Sequence, residues 1–450
     1  MKTKTLPALG VVWWMACATA CPEPTPAGDG GNGVDARVGW DVQGTDAVGH
    51  DANRPDAGDL PNLALGTWQI ENVSNTTGTI SHDGALAFTG DGTLWVAWSE
   101  PLATESGDQD IWTGARGGSG WTNAPLTNDV GVQNAFPRLA ASGDAVFLVF
   151  NGYPGGDNDV FAASAEVGEV ISGHFDLTSP SEASGTRRDY HPELAISPTG
   201  EFAVTYLSAP VNSSGEEIGP ADVRVLRFDE PTAPEEPLTA IATPANEYCD
   251  DLGLAFDGQG HLHLVASCGP LLQGTVRYVT DRSGSWVATP IPAGSTTTGY
   301  SCQIASDPDG ATLHVVWIGE WTCGNDHCSD VMYTRIAGGT PAAPVRATST
   351  DSSDDNERVP VMAVDAGGRV LVAFQRSDAG GDFDIFFAWS ADGVAWSAPH
   401  NITDSVGVDE WMPYSLVLDP IKQLPHLSFT KILSGTDPLD TEVMHAWLEP

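Results

Sequence analysis

Seven times after residue 80 the chain repeats one pattern: a short apolar run, a turn rich in Gly and Asp, and a second apolar run. The copies read LAFTGDGTLWVAW, LAASGDAVFLVF, LAISPTGEFAVTY, LAFDGQGHLHLVAS, IASDPDGATLHVVW, MAVDAGGRVLVAF and LVLDPIKQLPHLSF. Their second runs end at Trp98, Phe150, Tyr206, Ala266, Trp317, Phe374 and Phe429, spaced 52, 56, 60, 51, 57 and 55 residues apart. Apolar runs of this length closed by Gly, Asp and Pro predict β-hairpins rather than helices. A near-constant period means that each unit is one supersecondary element that buries its faces against its neighbours.

Each unit continues past its hairpin. An acid and a β-branched residue open a third strand at Asp110-Ile111, Asp159-Val160, Asp222-Val223, Asp330-Val331, Asp384-Ile385 and Glu442-Val443, whereas the fourth unit has Thr275-Val276. A Gly-rich turn and a fourth strand close most units, with Trp121, Trp286 and Trp396 at the fourth-strand starts. Four strands per unit predict an all-β fold, a seven-bladed β-propeller, with six blades as the alternative count. The last unit stops at EVMHAWLEP, after its third strand. LGTWQIENVSN, residues 65–75, has the pattern of a fourth strand with Trp68 in the aromatic place. This N-terminal strand is predicted to complete the seventh blade and so remove the open edges of a linear array.

Three parts are predicted: residues 1–20, 21–60 and 61–450. In the first, Lys2 and Lys4 precede an apolar run from Leu6 to Ala20, too short for a permanent membrane span, and Ala18, Thr19 and Ala20 lead into Cys21. This resembles a bacterial lipoprotein signal, which implies cleavage before Cys21 and lipidation of it; an ordinary secretory signal is the alternative. The second part is rich in Gly, Ala, Pro and Asp. It carries too little apolar surface to offset the entropy of ordering, and is read as a disordered tether. The expected location is the bacterial cell envelope, on the outer membrane or cell surface, with the membrane contacted through the lipid only.

Of the formal net charge of −41, residues 1–20 contribute +2 and residues 22–60 contribute −6, leaving −37 on the folded part, whose only lysines are Lys422 and Lys431. Such a surface repels phosphate backbones and anionic lipid, which excludes nucleic-acid binding from the expected functions. An acidic surface kept soluble is the plainer reading, cation binding the sharper one. No cofactor and no metal site are expected, with Ca²⁺ as the one ion left open, and the chain is expected to be a monomer. DPDG at Asp307–Gly310 reads as a hairpin turn and, like PGGDND at residues 154–159, lacks the spacing of an EF-hand loop. His263, His314 and His426 share a second-strand column with Trp95, Phe147, Ala203 and Leu371, which marks a packing column rather than a metal site.

Five cysteines follow the signal. In an exported protein they can form disulfides. Cys323 and Cys328 flank GNDH in one loop. Cys249 and Cys268 face each other if the fourth hairpin turns at Gly258 and Gln259, which leaves Cys302 unpaired.

SADGVAWSAP, Ser390 to Pro399, together with the strand-opening acids, resembles the BNR or Asp-box repeats of sialidase-like propellers. The resemblance covers roughly residues 65–450. It implies a structural role for Asp392 and Trp396, in the turn between third and fourth strands on the side opposite the active site. It also implies, for an active member, three arginines that grip a carboxylate, a Tyr nucleophile assisted by Glu, and an Asp acid. Arg358 in ERVP resembles the family's Arg-Ile-Pro element and Tyr414-Ser415 its Tyr-Ser; Glu410 and Asp189 are further weak catalytic candidates.

Segments leading into the first strands share one rim with the loops between second and third strands, and variable loops on a rigid frame are where binding residues gather. These segments place Arg138, Tyr190, His191, Glu247, Tyr300, Glu357 and Trp411 at the rim as candidate ligand-binding residues. Without a recognisable catalytic set, the reading is a ligand-binding or scaffold module for a glycan or protein rather than an enzyme. The alternatives are a sialidase-like glycoside hydrolase and a structural envelope protein without a small ligand.

Overall fold

A strand whose two neighbours are also strands satisfies its backbone on both edges, but its faces still need cover. The computed structural model of the chain meets both needs by stacking sheets around an axis. It describes residues 61–450 apart from 65, 77, 102–107, 129–130, 154–157, 167–168, 170, 179–185, 229–236, 271–273, 293, 295, 297, 324–325, 350–355, 378–381, 405–407 and 434–439. The segments read as signal and tether, with Cys21, lie outside the described residues. Among the described residues there is no helix. The strands form seven antiparallel sheets arranged as a seven-bladed β-propeller.

The first and innermost strands of blades 1 to 7 are His82–Phe88, Asn134–Ser142, Arg187–Ile196, Tyr248–Phe256, Thr298–Ser306, Glu357–Val364 and Glu410–Leu418. Each abuts the next, and the seventh returns to the first. In blade 5 a short segment, Val345–Arg346, adds a fifth piece beside the third strand. Burial follows from this stacking. Seven separate apolar clusters lie one in each cleft between neighbouring blades. Second strands are therefore covered on both faces, and Leu94–Glu100 is buried at every residue. That is why these strands read as unbroken apolar runs instead of alternating ones. Their terminal aromatics stack on third-strand aromatics across the pair: Trp98 on Trp112 at 6.1 Å, Phe150 on Phe161 at 5.6 Å and Phe374 on Phe386 at 6.0 Å.

The hairpin turns explain the repeated Asp and Gly. Asp365 Oδ1 accepts the N–H groups of Gly367 and Arg369, both at 2.9 Å, and Gly368 closes the turn at φ +79°. Asp257 with Gly260 builds the same turn, and Asp307 with Gly310 a version one residue longer in which Asp307 Oδ1 accepts the Thr312 N–H at 3.1 Å, so DPDG is a hairpin turn. An Asp side chain mimics a backbone turn, and Gly takes the left-handed position without steric cost.

The strand-opening acids belong to a joint that recurs around the ring. In blade 1, Thr127 at the end of the fourth strand donates to Asp110 at 2.7 Å and accepts the Ile111 N–H at 2.9 Å. Thr178 serves Asp159 and Val160 in the same way, as Thr403 does Asp384 and Ile385, and Ser74 does Glu442 and Val443. In blade 3 the Thr243 N–H donates to Asp222 at 3.1 Å. The next blade completes the joint: Asn134 donates its side-chain amide to Thr127 at 3.2 Å and its backbone N–H to Gln109 at 2.8 Å. Asp110, Asp330 and Glu442 are buried. Removing a donor from such a carboxylate costs about 1–3 kcal/mol.

The N-terminal strand closes the ring. Thr67–Asn72 pairs in register with Thr441–Glu449 as the outer strand of blade 7, and Trp68 packs edge-on against Phe387 of blade 6 at 5.2 Å. Glu71 fastens the closure to three neighbours. It accepts from Arg116 at 2.7 Å and Trp121 at 2.8 Å, both on blade 1, and meets His445 of blade 7 at 3.0 Å. Burial alone would raise the Glu71 pKa, but the His445 hydrogen bond and the Arg116 guanidinium outweigh it and hold it at about 2. Its stabilisation is therefore fully present above the ordinary value of 4.5 and is lost as the pH falls through about 2. Glu71→Gln should destabilise the protein at about pH 7 and less at about pH 3, with wild type and variant converging in urea unfolding only below about 2. An equal loss at both pH values would contradict the closure role.

Candidate functional site

Every first strand carries a bulge near its start. Pairing with the second strand shifts register there in all seven blades, and in blade 7 it shifts again between Pro413 and Ser415. At each shift one non-glycine residue has a left-handed backbone: Asp83, Phe136, His191, Asp251, Ser301, Val359 and Met412. Side-chain-bearing residues rarely adopt such angles, and bulges re-aim the side chains beside them. The residues just before the seven bulges are His82, Ala135, Tyr190, Asp250, Tyr300, Arg358 and Trp411. Of these, His82, Tyr190, Tyr300, Arg358 and Trp411 are half-buried and Asp250 is exposed. Aromatic, arginine, histidine and carboxylate side chains thus share one register position around the ring, with Tyr190 and Tyr300 packed against the apolar clusters of their clefts.

A belt of paired charges lies at the bulges. His82 Nδ1 meets Asp83 at 2.7 Å, and Arg138 Nε donates to Glu193 at 2.7 Å. Burial alone would lower the His82 pKa, yet Asp83 holds it above the ordinary value; His82 and Arg138 in turn keep Asp83 low against its own burial. Tyr414 sits against Asp83 and Arg138, and burial together with the Asp83 carboxylate pushes its phenol pKa up. Asp83, Arg138, Glu193 and Tyr414 thus come together from blades 1, 2, 3 and 7. Further round, His191 Nδ1 stands 3.5 Å from Asp250, and Asp251 accepts the Ser301 N–H at 2.7 Å. Burial and the neighbouring Asp250 raise Asp251 to about 7.

Three of the candidate residues, Glu357, Glu410 and Asp189, are buried. Glu357 binds Arg376 at 2.5 Å and takes the Val331 N–H at 2.8 Å, Glu410 meets Lys431 at 3.1 Å, and Asp189 is raised to about 7 by burial. Each occupies the cross-strand position that Cys249 holds in blade 4, where Cys249 and Cys268 pair in register and are joined as a disulfide. Cys323 and Cys328 are joined as well, and Cys302 is buried and free. Glu247 is committed to Arg277 at 2.5 Å.

Tyr300 donates to Glu320 at 3.0 Å, and Arg358 lies over Phe383 at 5.0 Å. Arg138, Arg188 and Arg358 stand on blades 2, 3 and 6, the first two facing Glu193 and Glu217. His263 and His314 are buried against Tyr278 at 2.7 Å and Tyr333 at 2.8 Å, and no metal-binding cluster of His, Cys, Asp and Glu occurs among the described residues. In blade 6, Asp392 Oδ1 accepts the Val394 and Ala395 N–H groups at 2.8 Å, and Trp396 packs on Tyr333 at 5.3 Å, so both serve the turn.

Two structures of an ulvan lyase from a new family of polysaccharide lyases, one bound to a glucuronic acid–rhamnose sulfate saccharide, superpose with TM-scores of 0.59 and 0.58. Both are 9% identical to the chain and cover 83% of it and 95% of their own length. A protein of unknown function from Dyadobacter fermentans gives 0.49 at 11% identity, over 71% of this chain and 97% of its own. A Hadza microbial sialidase gives 0.44 at 13% identity, over 81% and 65%. At such identities the likeness is one of fold. No protein-family model matches the sequence. No curated protein matches it.

The raised acids fix a pH dependence. Asp189 and Asp251 keep a proton to about 7 in the folded chain, whereas the unfolded chain releases it near 3.8. Stability from them is present below 3.8 and is lost as the pH rises through 7. The melting temperature should fall between about pH 5 and about pH 8, and Asp251→Asn should flatten part of that fall in calorimetric scans. A variant with an unchanged slope would remove Asp251 as a cause.

Proposed function

We propose that the protein is an exported, lipid-anchored propeller that binds a glycan at the mouth ringed by its seven bulges. One observation carries this reading: His82, Tyr190, Asp250, Tyr300, Arg358 and Trp411 hold the same register position on neighbouring inner strands, each set by the bulge beside it. Sugars are recognised by aromatic faces and a few placed polar groups on a rigid, preformed surface. A closed ring of inner strands supplies the rigidity. The ulvan lyase neighbour acts on a polysaccharide with a fold of this kind, which supports a saccharide as the ligand.

The convergence of Tyr414, Asp83, Arg138 and Glu193 favours a second reading, glycoside cleavage. Against it stand the raised Tyr414 phenol and the carboxylates already facing Arg138 and Arg188.

On a glycan array, wild type should bind a defined saccharide set. Trp411→Ala should weaken that binding about tenfold or more at an unchanged melting temperature. Uniform failure of wild type to bind would end this reading, and turnover of fluorogenic glycosides that disappears in Tyr414→Phe would establish the hydrolase instead. In bacterial expression, radioactive fatty acid should label wild type and not Cys21→Ala; label on the variant would exclude the proposed anchor.

A further inference from the structure

The strands give the ring a direction. Each first strand starts at the mouth, where its bulge lies, and ends at its hairpin on the opposite face. In blade 6 it runs from the bulge at Val359 to the turn at Asp365–Arg369. Second strands return to the mouth, third strands run away from it, and fourth strands run toward it again. The closing strand Thr67–Asn72 is a fourth strand, so the residues just before it lie on the face opposite the mouth.

Those residues are seated there. The Arg369 guanidinium donates to the Pro61 carbonyl at 2.8 Å, and Leu63 is buried in the apolar cluster that blades 6 and 7 share, together with Leu424. The Ala366 N–H donates to the Gln423 side chain at 2.8 Å, which joins the first hairpin turns of the two blades at the same spot. The chain therefore enters the ring at a fixed point, on the far face between blades 6 and 7. Turns on this face expose apolar side chains. Ile421, in the hairpin turn of blade 7, is 60% exposed, and Val394, in the turn between third and fourth strands of blade 6, is 70% exposed. Lys422 is exposed beside Ile421. Aliphatic tips next to a lysine suit a lipid interface, with the alkyl groups at the acyl boundary and the ammonium among the headgroups.

We propose that this far face is the membrane-contacting side of the anchored protein, with Ile421 and Val394 resting in the lipid interface and the mouth turned away toward the aqueous side. The inference rests on the lipid anchor at Cys21 and not on what the mouth binds. Two aliphatic side chains would hold a free protein to lipid only weakly. An anchored chain makes their contact intramolecular, which raises its effective concentration. The point of entry selects the face, because the mouth meets the same bilayer only if the chain before Pro61 is drawn around the edge of the ring, at a cost in entropy. Asp91 and Asp392 are exposed on the far face, so the contact fits zwitterionic headgroups and is opposed by anionic ones.

The test uses the full-length lipidated protein in phosphatidylcholine vesicles that carry a headgroup-linked quencher. A dye is attached to Ser119→Cys, in the far-face turn of blade 1, or to Ser213→Cys, in the mouth-side loop of blade 3; both positions are exposed. The quencher should remove most of the emission from position 119 and almost none from position 213. Adding Val394→Ser and Ile421→Ser should reduce the loss at 119 while the protein still floats with the vesicles. Equal loss at both positions, or a greater loss at 213, overturns the orientation and leaves the anchor standing. A loss at 119 that is indifferent to the two serine substitutions overturns the lipid contact of the turns. Wild type that does not float with the vesicles overturns the anchor and the orientation together.

Discussion

The seven blades have no common core, so the ring holds only if every cleft is closed. Each apolar cluster joins two neighbours and no others. A break at any cleft exposes the faces of two sheets and the edges that a ring abolishes. The vulnerable place is inside blade 7, between the third strand Thr441–Glu449 and the outer strand Thr67–Asn72, since these are the two ends of the ring and only side-by-side pairing joins them. From Thr67–Asn72 the chain runs on into the first strand of blade 1, and Glu71 ties that outer strand to Arg116 and Trp121 of blade 1. The site at the mouth inherits its order from this closure, because its residues come from all the inner strands at once.

Closure by itself would leave the inner strands free to slide. The joints prevent that, since a buried acid, a hydroxyl and the next blade's inner strand are mutually dependent. In blade 5, Thr348 accepts the Val331 N–H at 3.0 Å and donates to Glu357, and Glu357 in turn accepts the Val331 N–H from the neighbouring blade. A carboxylate shared between blades fixes their spacing, because its burial is tolerable only while every donor stays in place. In blade 4 a disulfide stands where blades 6 and 7 have Glu357–Arg376 and Glu410–Lys431. Covalent and ionic links thus serve the same cross-strand position.

The blade count, the closing strand and the opposition of Cys249 to Cys268 could all be read from the sequence, because each follows from spacing and alternation. The joints were half legible. Their acids stood out as a repeat, but the hydroxyl partners Thr127, Thr178, Thr243, Thr348, Thr403 and Ser74 follow loops of different length, which hides their period. The bulges were not legible, since the left-handed position is held by Asp and His, which tolerate it, but equally by Phe, Ser, Val and Met, so no residue type marks it. Proline follows that position at Pro137, Pro192, Pro360 and Pro413, a trace visible only once the bulge is known. For the same reason Glu357 and Glu410 looked like rim acids: strand alternation reverses at a bulge, and two residues before it a side chain turns inward.

A propeller built from near-equal blades gains a site only through inequality, and the inequalities here are of two kinds. At the mouth the frame is constant and the side chain before each bulge differs, so chemistry varies on fixed geometry. Between blades 4 and 5 the backbone link is kept, the Gly299 N–H donating to Gly274, while Thr275, Pro292 and Gly299 stand where blade 1 and its neighbour have Asp110, Thr127 and Asn134. Electrostatics sharpens the contrast. Arg138, Arg188, Arg277 and Arg376 are already matched to Glu193, Glu217, Glu247 and Glu357, so their charge is spent within the protein. With −37 on the folded part of the chain, the field around the mouth opposes anions. A ligand held there must gain its affinity from stacking and uncharged polar contacts, and these are the interactions that an aromatic such as the half-buried Trp411 offers.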